Sequence, residues 1–490
     1  MLAKRHSKRI VSLIAMAAVL VSFIAALPKL GVADSKNEEV YRGKTPKYVF
    51  MYIGDGMSYA QVSSAEMYLG EKAMPGKVTP QQLNFTQFPV HGALMTQDST
   101  SFIPDSASTA TSLASGYKTL SGVINMDETK TKEYQPITEE LKEDGYKVGI
   151  ITSVPITHAT PAAYYAKVAN RNSYYEIGKQ LAASGFDYFG GGDFDQKTGP
   201  EGTDQHIYEI VEAAGYTIAD TKEEILALND ASGKAVAIDP DDYETALDYE
   251  IDRDADELSL ADYVKKGIEV LDNKDGFFMM VEGGKIDWAN HANDAAASIH
   301  DTIAFDDAVK PALDFYRQHP NDTLIIVTAD HECGGMTLGY SLTGYSTNFK
   351  KLQPVKMSYQ EFDKIIQAYK DKKPAQPKLE DLSQDIFNAY GLDLGTLTSY
   401  ESTLLKKAFN KTLSADTKPS NDQESVLYGT YNPLSVTLSH IVNSRAGLSF
   451  TSYSHTGLPV PVYAIGTGSE MFDGYYDNTK VYYKLAAIMK

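Results

Sequence analysis

The sequence predicts an α/β protein with a central, mostly parallel β-sheet and helices on both faces. Five short apolar runs are typical of strands buried on both faces, at Tyr48–Ile53, Val148–Thr152, Phe277–Val281, Leu324–Thr328 and Val460–Ile465. Helix-like stretches alternate with them, at Ile137–Asp144, Ser173–Ser184, Leu258–Asn273 and Ala295–His319. In such sheets ligands bind beyond the carboxyl ends of the strands, so a functional site is expected there.

Residues 1–33 are typical of an export signal. Four basic residues precede an apolar run from Ile10 to Leu27, and Gly31-Val32-Ala33 provides small residues for cleavage. An uncleaved anchor is the alternative, because the run is barely long enough to span a bilayer. The small residues favour cleavage. We therefore expect an exported protein, periplasmic or extracellular, with no stable membrane span after cleavage and a polar lead-in at 34–45.

Composition limits the partners and the covalent chemistry of the chain. The formal net charge of −20, with no basic block to offset it, argues against a nucleic-acid partner. Cys333 is the only cysteine among the 490 residues, so no intrachain disulfide can form. Stability must therefore come from core burial, to which bound metal can add.

One domain is expected over 46–490, interrupted by two regions that break the alternation of strand and helix. Residues 193–257 are polar and acidic, and residues 340–435 carry several helix-like pieces between polar segments. We expect both to be insertions that lie over the sheet rather than separate core domains.

Ser106 opens a short predicted helix. Asp105 is placed as its N-cap and Gly116 as its end. The first turn of a helix offers unpaired backbone N–H groups and the positive end of the helix dipole, which together favour an anion. By itself the stretch favours a serine that only helps to cap a buried helix.

Acids and histidines follow the predicted strands. Asp287 and His291 are one helical turn apart and can reach one cation, although a solvated pair has the same spacing. Cys333 is a further possible ligand, but its small neighbours favour a buried thiol. Imidazole and carboxylate ligands suit catalytic zinc, and the candidates are numerous enough for two or three ions: Asp55, Glu282, Asp287, His291, Asp330, His331 and His455.

The sequence resembles the alkaline phosphatase family from about Pro46 to the C-terminus, with the two insertions least similar. The resemblance is carried by ordered motifs: Gly54-Asp55-Gly56-Met57, Pro104-Asp105-Ser106-Ala107, Thr160-Pro161-Ala162-Ala163 with Arg171, Val281-Glu282-Gly283 through His291, Thr328-Ala329-Asp330-His331, and His455-Thr456-Gly457. It implies a homodimer that hydrolyses phosphate monoesters through a phosphoserine intermediate.

The resemblance also implies the role of each site residue. Ser106 is the nucleophile and Arg171 clamps the phosphate. One zinc is implied on Asp287, His291 and His455. A second is implied on Asp55, Asp330 and His331, with Ser106 as a further ligand, and magnesium beside Asp55, Thr160 and Glu282. The chemistry agrees, since a serine hydroxyl needs activation and arginine can offer two parallel donors to phosphate.

Two positions depart from the enterobacterial form of the family pattern. His158 stands where that form has an aspartate near magnesium, and Trp288 where it has a lysine near the phosphate. An imidazole at the third metal site could ligate zinc or cobalt, which leaves the third metal open between these ions and magnesium. Loss of the lysine removes a positive charge from the pocket, so we expect faster phosphate release. Packing alone is the alternative role for Trp288.

Other functions are less well supported. A sulfatase of the same superfamily needs a modifiable Cys or Ser followed by Pro and Arg two and four positions on, whereas Ser106 is followed by Ala107-Ser108-Thr109-Ala110. A phosphodiesterase remains a possible side activity. An exported binding protein without turnover is compatible with the acidic composition, but it would not require a serine beside the ligands.

Overall fold

The structure is a computed structural model that describes residues 41–239 and 245–489. The predicted export signal at 1–33 lies outside these residues. Within them, strands occur in chain order as β1 (Tyr48–Gly54), β2 (Val90–Met95), β3 (Lys147–Thr152), β4 (Tyr188–Gly191), β5 (Thr217–Ala219), β6 (Ala235–Ile238), β7 (Phe277–Gly283), β8 (Thr323–Ala329), β9 (Glu332–Cys333), β10 (Thr337–Leu338), β11 (Leu448–Ser449), β12 (His455–Thr456), β13 (Val460–Gly466) and β14 (Gly474–Asp477).

A ten-stranded sheet in the order β14-β2-β13-β8-β1-β7-β3-β4-β6-β5 organises the described residues. Every residue of β1, β7 and β8 is buried, so both faces of the sheet centre are covered. β1 pairs in parallel with both β7 and β8. The predicted mostly parallel α/β fold is therefore confirmed.

β13 runs opposite to the other strands of this sheet. It pairs antiparallel with β8 on one side and with β2 on the other. Its first residue, Val460, therefore lies at the edge where the parallel strands end. This reversal brings residues that precede β13 to the same edge as residues that follow β1, β7 and β8.

The expectation that residues 193–257 lie over the sheet is wrong for two segments. β5 and β6 fall inside this region and extend the sheet at one edge. They were missed because they are only three and four residues long and polar sequence surrounds them. β2 and β14, at the opposite edge, were missed because partly exposed strands need no continuous apolar run.

Helices in the described residues are α1 (Tyr59–Ala73), α2 (Ser106–Ser115), α3 (Ile137–Glu143), α4 (Ala159–Ala162), α5 (Tyr174–Ser184), α6 (Ile207–Ala213), α7 (Lys222–Ala227), α8 (Leu260–Leu271), α9 (Lys285–His291), α10 (Ala295–Gln318), α11 (Tyr359–Asp371), α12 (Ser383–Tyr390), α13 (Ser399–Thr412), α14 (Asp422–Tyr428), α15 (Pro433–Ala446) and α16 (Thr479–Met489). Residues 340–435 add no strand to the sheet. Their apolar side chains, with Tyr68 of α1, Ile299 of α10 and Leu438 of α15, form a second buried cluster. None of the helices just named is both long and apolar enough to cross a membrane.

Candidate active site

Ser106 is the first residue of α2, and it is buried. The Asp105 carboxylate caps the helix by accepting a hydrogen bond from the Ser108 backbone N–H at 3.0 Å. Gly116 ends the helix in the left-handed conformation, with φ of 77°. The predicted helix bounds are therefore confirmed, and the Ser106 hydroxyl is fixed at the positive end of the helix dipole.

The predicted acids and histidines meet at the carboxyl edge of the sheet. Asp55 follows β1, Glu282 lies near the end of β7, and Asp330 with His331 follows β8. His455 joins them because it precedes the reversed strand β13. Its ring stacks on that of His331 with 3.6 Å between centroids.

Asp287, His291 and His455, here called the first ligand set, face one another. His291 Nε2 lies 3.1 Å from His455 Nε2 and 3.3 Å from Asp287 Oδ2. Asp287 Oδ1 lies 3.5 Å from His455 Nε2. Each imidazole uses Nδ1 to donate to a backbone carbonyl, of Tyr453 and of Pro104 respectively, both at 2.7 Å.

These two carbonyl contacts decide the tautomers. A carbonyl only accepts hydrogen bonds, so in the neutral rings Nδ1 carries the proton and Nε2 carries a lone pair. Two lone pairs and a carboxylate then point at one another, which is stable only around a proton or a cation. Burial lowers the pKa of His291, but the adjacent Asp287 carboxylate outweighs it and raises that pKa to about 9.

The second ligand set consists of Asp55, Asp330 and His331, and it is arranged around His331 Nε2. Ser106 Oγ lies 3.1 Å from it, Asp330 Oδ2 3.2 Å and Asp55 Oδ1 3.3 Å. Thr109, one turn after Ser106 in α2, donates its hydroxyl to Asp330 Oδ2 at 3.2 Å. The nucleophile candidate is thus directly in contact with predicted metal ligands.

The third ligand set lies on the other side of Asp55. Ligand atoms of Asp55, His158 and Glu282 lie within 4.8 Å of one another. The Thr160 hydroxyl donates to Asp55 Oδ2 at 3.4 Å, and the Thr152 hydroxyl donates to Glu282 Oε2. Oxygen ligands predominate here, as magnesium prefers.

The spacing of the first two sets fits zinc. A tetrahedral zinc ion with bonds of about 2.1 Å separates its ligand atoms by about 3.4 Å, close to the distances above. The electrostatics of the site also favour bound cations. Burial and nearby acids raise the pKa of Glu282 to about 8 and that of Asp330 to about 7. Deprotonated together, these carboxylates would repel one another strongly without positive charge.

Arg171 is held on two sides at the rim of this cluster. Its Nη1 donates to Asp105 Oδ2 and its Nη2 donates to His158 Nε2, each at 3.0 Å. The Trp288 ring packs edge-on against His158 with 6.1 Å between centroids. The guanidinium therefore shares its anchor, Asp105, with the helix that carries Ser106.

Comparison with known proteins assigns the chain to one family. The family model described as alkaline phosphatase matches residues 46–490. The chain belongs to the alkaline phosphatase family.

Curated relatives and solved structures are of the same kind. Alkaline phosphatase 3 of Bacillus subtilis is 28% identical, with 98% of this chain and 96% of the relative covered. Alkaline phosphatase 4 of the same organism is 29% identical, over 95% and 94%. The cold-active alkaline phosphatase of a psychrophilic Shewanella superposes with a TM-score of 0.75 at 26% identity, covering 90% of this chain and 100% of that one. The Thermus thermophilus enzyme, at 24% identity and a TM-score of 0.77 over 95% and 96%, shares the fold.

As a member of this alkaline phosphatase family, the protein is a hydrolase of phosphate monoesters. The structure adds participants that the sequence did not single out. Asp105, considered only as a cap, also pairs with Arg171, while Thr109 and Thr152 bind the carboxylates of the second and third sets. The spacing of Thr109 three residues after Ser106 is the one signal that could have found it.

Proposed function

We propose that this alkaline phosphatase acts through a phosphoserine intermediate formed on Ser106. The observation that carries the proposal is the 3.1 Å contact between Ser106 Oγ and His331 Nε2, because it joins the hydroxyl to the ligand sets. A serine that merely capped α2 would not need Asp55, Asp330 and His331 around it.

Metal ions would be held by the chain's own residues as follows. The first ligand set would hold one zinc, the second set with Ser106 another zinc, and Asp55, Thr160 and Glu282 a magnesium beside His158. When bound, the ions supply positive charge that favours loss of protons from hydroxyl groups and balances charge on the reacting oxygens. The near-tetrahedral spacings and the raised carboxylate pKa values support this assignment.

The protein residues orient the reaction. Arg171 offers two parallel N–H donors to phosphate oxygens, and the N-terminus of α2 adds backbone donors. Ser106 gives up its hydroxyl proton as Oγ attacks phosphorus, the bond from phosphorus to the ester oxygen breaks, and that oxygen takes up a proton and leaves as the alcohol. Water then cleaves the phosphoserine, releasing inorganic phosphate and restoring the hydroxyl.

The substitution Ser106→Ala tests this proposal. Purified protein loaded with zinc and magnesium should hydrolyse 4-nitrophenyl phosphate, lose activity to a chelator, and lose nearly all of it in the variant. Metal analysis should show that the variant retains most of its zinc. Undiminished hydrolysis by Ser106→Ala would exclude the phosphoserine route. Hydrolysis of bis(4-nitrophenyl) phosphate, measured separately, would reveal any diesterase activity.

We also propose that the protein is exported and works as a homodimer on small phosphate monoesters. Export is supported by the basic and apolar segments within residues 1–33, and dimerisation by family resemblance alone. N-terminal sequencing of secreted protein and its mass in solution would test the two statements. Protein found only inside the cell would contradict export, and a monomer in solution would contradict the homodimer.

A further inference from the structure

The chain's one cysteine lies beside the first ligand set. Cys333 is fully buried, and its Sγ, a ring nitrogen each of His291 and His455, and a carboxylate oxygen of Asp287 all lie within 4.8 Å of one another. The sequence favoured a buried thiol at this position over a metal ligand. Its position beside the Nε2 atoms of two imidazoles and the Asp287 carboxylate, which form the first ligand set, supports a different interpretation.

The backbone fixes this placement. Cys333 in β9 is directly opposite His455 in β12, and directly opposite residues project to the same side of an antiparallel pair. The Cys333 N–H donates to the Gly56 carbonyl and the Gln61 side chain donates to the Cys333 carbonyl, both at 3.2 Å. The Cys333 side chain is therefore held toward the first ligand set from both ends of its backbone.

Gly56 leaves the room that this approach needs. A Cβ at this position would lie 2.9 Å from Cys333 Cβ and 2.8 Å from Asp287 Oδ1. Because Gly56 has no side chain, the Cys333 side chain and the Asp287 carboxylate can both lie close to its backbone.

We propose that Cys333 is a thiolate ligand of the cation held by Asp287, His291 and His455. The inference rests on the proposed function, since it extends one of the metal sites assigned there. On binding, sulfur bonds to the ion and the thiol proton passes to solvent. Zinc can expand from four to five ligands, so a substrate oxygen can still reach the ion.

A sulfur ligand would make the first site chemically different from the second. Thiolates prefer zinc and other soft or borderline ions, whereas magnesium and manganese prefer oxygen. The second ligand set contains only oxygen and nitrogen donors. The first site should therefore select zinc or cobalt over magnesium more strongly than the second.

Cobalt(II) substitution tests the proposal without relying on activity. Full-length protein stripped of metal and titrated with Co²⁺ should develop a sulfur-to-cobalt charge-transfer band in the near ultraviolet. The assignment is direct because the chain has one cysteine. Cys333→Ser and Cys333→Ala should both lose the band and bind the first cobalt roughly tenfold or more weakly. His331→Asn, which removes a ligand of the second set, should keep it.

The outcomes distinguish thiolate ligation by Cys333 from the proposed function on which it rests. Cobalt that binds with visible d–d absorption but without the sulfur band would overturn thiolate ligation and leave the proposed function intact. A band that survives in Cys333→Ser would overturn it as well. Failure of the protein to bind cobalt or zinc at all would overturn both proposals.

Discussion

Asp105 links the helix that carries Ser106 to the guanidinium of Arg171, and replacing it tests that link. Its Oδ1 caps α2 by accepting from the Ser108 backbone N–H at 3.0 Å, while its Oδ2 pairs with Arg171 Nη1 at 3.0 Å. Burial raises the pKa of Asp105, but Arg171 and the hydrogen bonds from Gly122 and Ser108 outweigh it and hold that pKa below its usual value. The pair is therefore charged at neutral pH.

Two substitutions divide these functions. Asp105→Asn keeps a good N-cap and removes the charge, so stability should fall by less than about 1 kcal/mol. Asp105→Ala removes both the N-cap and the ion pair. Loss of the cap costs about 1 kcal/mol of stability. Loss of the ion pair, whose two side chains are each 21% exposed, costs up to about 1 kcal/mol more. We expect a total of about 2 kcal/mol for the alanine variant.

Activity should respond differently from stability. Both variants free Arg171 on one side, and a displacement of about 1 Å in a positioning group can cost on the order of a hundredfold in rate. We expect kcat/KM for 4-nitrophenyl phosphate to fall by roughly tenfold to a hundredfold in both. Thermal denaturation and steady-state kinetics measure the two effects. An asparagine variant with wild-type kcat/KM would refute the reasoning.

Three further results are expected. In metal-free protein the pKa of Glu282 is about 8 and that of Asp330 is about 7, both above the values in the unfolded chain. The folded state therefore binds more protons than the unfolded state, so the free energy of unfolding should fall as pH rises from about 4 to 8. Zinc and magnesium should reverse that fall in the thermal midpoint, and a flat profile without metal would contradict this. Trp288→Lys should bind product phosphate more tightly, and inhibition by phosphate equal to that of wild type would count against a role for Trp288. Gly56 has a φ of 69°, and a Cβ there would lie 2.8 Å from Asp287 Oδ1, so the variant Gly56→Ala should lose zinc from the first ligand set. Full zinc content in this variant would show that the loop adapts.

The sequence predicted the centre of the fold because buried parallel strands are continuous apolar runs. β1, β7 and β8 are of this kind, and the polar residues at their ends could be grouped by the rule that such ends share one edge. The α2 helix was equally predictable, since Asp105 and Gly116 are strong local end signals.

Long-range geometry could not be predicted in the same way. Nothing local to Val460–Gly466 indicates that β13 runs antiparallel, and this reversal is what carries His455 to the site. The short strand β5 has no pattern of its own and depends on pairing with β6. The contact of Arg171 with Asp105 joins residues 66 positions apart, and the sequence offers no periodicity over such a distance.

The central claim, that Ser106 is the nucleophile that accepts the phosphoryl group, can be tested by mass spectrometry. Zinc- and magnesium-loaded protein is mixed with substrate, quenched in acid and digested. We predict one added phosphoryl group on the peptide containing Ser106, absent from the Ser106→Ala variant. Full turnover with no phosphoryl group on that peptide in the quenched protein would contradict the account.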